Sequence, residues 1–131
     1  MQKKALLAAV VVFLAWAVMD FLIHGVILQS SYASTPALWR PMQEMKRGVL
    51  YFAVFVNALA FCVIYAKYVA RKSIGTGLMY GIWFGLGTGV AMGYGTYAVM
   101  PIPYTMALIW FLGHGIEAAV AGLIVASIVK E

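Results

Sequence analysis

The sequence predicts an all-α integral membrane protein of four transmembrane helices with both termini in the cytoplasm. Three observations carry that prediction. The 131 residues are 65% hydrophobic and only 10% charged, with a mean hydropathy of +0.95; soluble domains run about 45–50% apolar and about 25% charged. The apolar residues fall in four runs, at about 5–28, 49–66, 74–100 and 104–129. Each approaches the roughly 20 helical residues needed to cross about 30 Å of hydrocarbon. Lipid offers the backbone no hydrogen-bond partners, so such runs must be helical. Residues 1–131 then form a single transmembrane domain, with 29–48 as its one sizeable outer loop.

The first run opens like a secretory signal, with Lys3-Lys4, an apolar stretch and an Ala15-Trp16-Ala17 cleavage-like triplet. It continues past Ala17 to Leu28, which favours a retained first helix. The loop after it carries Tyr32 and Trp39, which suit an aromatic belt, and Pro36 and Pro41, which break any long helix. Lys3, Lys4, Lys67, Arg71, Lys72 and Lys130 lie at one end of the runs; Arg40, Lys46 and Arg47 lie at the other. The richer end is cytoplasmic by the positive-inside rule. The formal charge of +5 is read as orientation, because no basic stripe exists to track phosphates and no nucleic-acid partner is expected.

In the third run Gly77, Gly81, Gly85, Gly89 and Gly93 recur every four residues. Small residues at this spacing let two helix backbones approach closely in lipid, so the stripe predicts a glycine-zipper packing seam. Gly87 lies about 200° round from Gly85, which predicts a second contact and a central or dimer-interface helix. The alternative is a helix broken near Gly85 to Gly89, with carbonyls offered to a cation.

Polar residues interrupt all four runs. Asp20, Asn57, His114, Glu117 and Thr88 fall within about 5 Å of the span midpoints at 1.5 Å per residue, with His24 one turn outward of Asp20. Asp20 and His24 are neighbours at i, i+4, and His114 and Glu117 at i, i+3. Carboxylates at this depth are costly unless paired, so they face an interior and mark a site or pathway. Asp20 is expected within reach of His114 or Glu117. The same groups can instead satisfy one another structurally, with Asn57 as glue between helices. Imidazole with carboxylate also suits Zn, Fe or Mn, so His24, His114, Asp20 and Glu117 form a candidate metal set. A b-type haem on the two histidines is a further possibility, although no cofactor is the expected state. Phe21-Leu22-Ile23-His24-Gly25 and Phe111-Leu112-Gly113-His114-Gly115 suggest a short inverted repeat.

Two resemblances attach to these motifs. Thr76-Gly77, Tyr80, Ile82-Trp83, Gly85 and Gly87 resemble the third helix of the small multidrug resistance transporters. That resemblance implies a four-helix dimer in which Trp83 faces substrate and Asp20 supplies the embedded carboxylate. Asp stands where that family has Glu, the first outer loop is longer, and His114 and Glu117 have no counterpart there. Over nearly the whole chain, the Asp20 to Gly25 run, Leu38-Trp39-Arg40, the glycine-rich run and Pro101-Ile102-Pro103 resemble a group of small four-helix bacterial membrane proteins of uncharacterised function. It implies a multi-pass protein of the bacterial inner membrane.

No activated nucleophile, phosphate loop or dinucleotide fingerprint is present, so no enzyme is expected. The leading expectation is a proton- or ion-coupled small-molecule carrier with candidate ligands Asp20, His24, Asn57, Trp83, His114 and Glu117. The alternatives are an accessory subunit packed against a larger membrane complex and a metal- or haem-binding protein. A homo-oligomer or larger assembly in the bilayer is expected in each case. Cys62 is the sole cysteine, which excludes a disulfide within the chain.

Overall fold

Gln2–Leu22 contains neither Gly nor Pro and forms the first helix, α1. Its last turn widens into a π-helical turn at Ile23–Ile27, closed by the Leu28 N–H on the Ile23 carbonyl at 2.9 Å. The loop then folds into a short helix α2, Gln29–Ala33, and two 3₁₀ turns, Pro36–Leu38 and Met42–Glu44. Three long helices come next: α3, Arg47–Tyr68; α4, Ile74–Val99; and α5, Tyr104–Ile128. Ser73 caps α4 by accepting the Thr76 N–H at 3.0 Å. Pro101 and Pro103 stop it, because a residue preceding proline is disfavoured in the helical region. This computed structural model describes residues 2–130, and no strand occurs among the described residues.

Three helices are long and apolar enough to cross a membrane: Gln2–Ile27, Arg47–Tyr68 and Tyr104–Ile128. Their large apolar side chains point outward, Leu14, Val18, Phe52 and Leu112 among them. That is the arrangement lipid favours. α4 has 26 residues, which is ample length, but its eight glycines and its threonines and tyrosines dilute its hydropathy.

The helices close a ring in which α5 packs on α4 and α1, and α1 packs on α3. Phe61 and Tyr65 of α3 complete it by stacking against Tyr80 and Phe84 of α4 at 4.6–5.5 Å between centroids. All five seam glycines are buried and face α5. A Cβ on Gly85 would stand 2.9 Å from the Ala118 Cβ and from the Gly115 Cα, and one on Gly81 would run into the Ala118 carbonyl. Only hydrogen fits there, because α5 answers with Gly115, Ala118, Gly122 and Ala126. Two expectations are corrected. α4 runs unbroken through Gly85 and Gly89, so no carbonyls are freed. Gly87 is exposed with open space beyond it, so the second contact of α4 is made by Tyr80 and Phe84 against α3 and not at Gly87.

The interior divides into two apolar clusters. Near the chain termini, Ala5, Ala8, Ala9, Val12 and Trp16 meet Phe61, Cys62 and Tyr65 of α3 and Ala121, Val125 and Val129 near the end of α5. At the loop end, Ile23 and Leu28 meet Ile102, Met106 and Ala107, covered by Tyr32, Trp39 and Trp110. Along α1 the first cluster ends at Trp16 and the second begins at Ile23. Along α5 the gap runs from Trp110 to Ala121. Asp20, His114 and Glu117 fall in that gap.

Candidate functional site

Glu117 is buried, 7% exposed, and stands as the buried charged side chain of the described core. Its carboxyl lies beside the half-buried carboxyl of Asp20, close enough for the two to interact. An ionised carboxylate only accepts, so a hydrogen bond between the two would need a proton on one of them. Trp16 fixes the approach of the helices: its Nε1–H donates to the Glu117 backbone carbonyl at 2.8 Å, one turn before Asp20 on α1. The structure thus unites the acidic groups of the first and last runs.

Asp20 also lies close enough to act electrostatically on His24, His114 and Tyr32. Each histidine is held by a hydroxyl. Thr88 gives its single hydroxyl proton to the Phe84 carbonyl at 2.6 Å, so the 2.6 Å contact with His114 Nε2 is donated by the imidazole. Tyr32 accepts the Trp110 Nε1–H at 2.7 Å and shares a second hydrogen bond with His24 Nδ1, 2.6 Å away. His24 sits in the π-helical turn, a distortion that recurs at functional sites. Around it Tyr32, Trp39 and Trp110 stack with centroids 5.1–6.4 Å apart and seal the loop end of the polar layer. Burial pushes the Tyr32 hydroxyl up to about 12; the Trp110 N–H opposes the rise and the charge of Asp20 adds to it. Among the described residues, no buried side-chain nitrogen or oxygen lacks a hydrogen-bond partner.

Four of the six expected ligands, Asp20, His24, His114 and Glu117, share this layer. Asn57 does not join it; it lies exposed on α3, because depth along a helix does not fix the direction a side chain faces. Trp83 is also outside, 66% exposed and about 200° round α4 from the seam glycine Gly81. The role that the transporter resemblance implies for Trp83 has no counterpart within one chain. Among the described residues no three His, Cys, Asp or Glu side chains converge to hold a metal ion. The set of His24, His114, Asp20 and Glu117 is therefore not assembled as ligands; the histidines turn to hydroxyls and the acids to each other. The two repeat-like segments also diverge, since His24 occupies a π turn and His114 a regular helix.

Sequence reasoning missed Trp16, Tyr32 and Trp110 as members of the site. Trp16 left a faint signal, being four residues before Asp20. Tyr32 and Trp110 are 78 residues apart, and nothing in either local sequence foretells their contact.

No family model matches this chain, and no curated protein or solved structure is significantly similar to it.

Proposed function

We propose that this chain is a small proton-coupled carrier of a bacterial inner membrane, spanning it four times with both termini cytoplasmic, and that the Asp20–Glu117 pair is its exchange site. One observation carries the reading: two neighbouring carboxyls lie between two apolar clusters at mid-helix depth. A purely structural pair could be replaced by apolar packing at little cost, and often with gain. Ionisable groups retained at this depth are by default functional.

The chemistry rests on the charge. With one proton the pair carries a single negative charge. A monovalent cation that displaces the proton leaves that charge unchanged, so the exchange itself adds no net charge to the layer. Desolvation of the two carboxylates is offset by whichever cation stands between them. His24 and His114 flank the pair, and Tyr32 and Thr88 hold their orientation. α4 supplies the fourth span because its narrow glycine face is covered by α5, which leaves its larger side chains to the lipid.

The test uses purified protein in lipid vesicles with sodium, potassium and tetraphenylphosphonium as probes. Adding a preferred cation should release a proton to a pH-sensitive dye, and infrared difference spectra should show loss of a protonated carboxyl. Both signals should vanish in Asp20→Asn and in Glu117→Gln while the helical circular dichroism persists. Proton release by none of the three cations, or undiminished release in Asp20→Asn, defeats the proposal.

A further inference from the structure

The α3 helix poses a problem that the carrier reading does not absorb. Asn57 stands at the midpoint of Arg47–Tyr68, its side chain is exposed, and it makes no side-chain hydrogen bond among the described residues. It is about 15 Å from either end of the helix, too far for so short a side chain to reach the polar headgroups. Hydrocarbon supplies neither donor nor acceptor, so an amide left there is unsatisfied.

Ala53, Ala60 and Ile64 are exposed as well, and with Asn57 they fall within an arc of about 60° on the helix. The residues that α3 uses inside the chain, Ala58, Phe61, Cys62 and Tyr65, begin about 40° round from Asn57 and are centred about 120° from the stripe. The stripe is thus free of intrachain duty. Its two alanines would let another backbone come close, and its amide needs both a donor and an acceptor opposite. A second copy inserted in the same orientation offers an identical amide at an identical depth, and a two-fold axis along the membrane normal sets the two face to face. An amide is its own complement. We infer that the Ala53–Asn57–Ala60–Ile64 face of α3 is a two-fold interface with a second copy of this chain, joined at mid-membrane by reciprocal Asn57 amide hydrogen bonds.

This moves the expected oligomer contact away from the glycine seam, which α5 already fills. The site at Asp20 and Glu117 plays no part in the inference, so the proton-release signal above and the association measured below fail independently.

The experiment takes the full chain in lipid vesicles, with the buried Cys62 replaced in Cys62→Ala and single cysteines introduced in turn. Oxidative cross-linking should give dimers in Ala53→Cys, Asn57→Cys and Ala60→Cys. It should not in Phe52→Cys, which is 69% exposed but about 100° off the stripe. In the Cys62→Ala background, Asn57→Leu should shift the monomer–dimer equilibrium about tenfold toward monomer, and Asn57→Gln, which keeps an amide, should recover part of that loss. A monomer at every protein-to-lipid ratio overturns the inference. So do cross-links strongest at Phe52→Cys, an Asn57→Leu variant as dimeric as its parent, or cross-linking of Asn57→Cys in cell membranes to a different protein.

Discussion

Gly85 and Gly87 lie two residues apart on α4 and face opposite ways, so one substitution made at each separates packing from propensity. Ala in place of Gly raises helix propensity by about 1 kcal/mol at either position. At Gly87 the new methyl enters open space. At Gly85 it arrives 2.9 Å from the Ala118 Cβ and 2.9 Å from the Gly115 Cα. Neither neighbour has a flexible tip that can swing aside, so the helices must part. Overpacking of this kind costs about 1–3 kcal/mol. Because the propensity gain cancels in the comparison, Gly85→Ala should lie about 1–3 kcal/mol below Gly87→Ala. Equilibrium unfolding in mixed micelles titrated with dodecyl sulfate, monitored by circular dichroism, measures that gap directly. Two variants within about 0.5 kcal/mol of each other, the spread of ordinary surface changes, would refute the claim that α4 and α5 meet through hydrogen-sized gaps.

Three further outcomes are expected. Tyr32→Phe leaves the Trp110 N–H and His24 Nδ1 without their shared partner; it should cost about 1–3 kcal/mol and alter the tryptophan emission spectrum, and an unchanged spectrum would remove the cluster. The raised value of Tyr32, about 12, favours the neutral phenol in the fold, so its stabilisation is full below about pH 10 and is lost as pH climbs toward 12. Absorbance titration of tyrosinate should then show Tyr32→Phe deleting a late-ionising component rather than an early one. Finally, Asp20→Ala and Glu117→Ala should each destabilise, and the double variant should cost less than their sum by about 0.5–3 kcal/mol; additive losses in the same dodecyl sulfate titration would mean that the carboxyls do not interact.

Periodicity and depth were readable in one dimension; direction was not. Hydropathy located the four long helices to within a few residues, because lipid leaves a long apolar run no alternative to helix. The four-residue glycine spacing announced a close approach, but spacing states how near a neighbour comes and not which neighbour it is. Depth estimates brought Asp20 and Glu117 to one level, where the structure joins them. The same arithmetic put Asn57 at that level and failed, since its azimuth depends on which face of α3 the aromatic contacts of Phe61 and Tyr65 claim. Composition reads Tyr32 and Trp39 as interfacial anchors; in the fold Tyr32 is hydrogen-bonded to Trp110 of α5. The π-helical turn left no mark that Gly25 alone could disclose.

That turn makes the protein sensitive to counting. Between Ile23 and Leu28 the chain uses one residue more per closed loop than a regular helix would, and each residue turns the downstream chain by about 100°. Deleting a residue there would leave every apolar run long enough and every charge in place. It would rotate α2 as a block and carry Tyr32 away from Trp110. The loop end of the bundle is therefore keyed by length as well as by residue identity, like a combination lock whose dial has been set one notch past its natural stop.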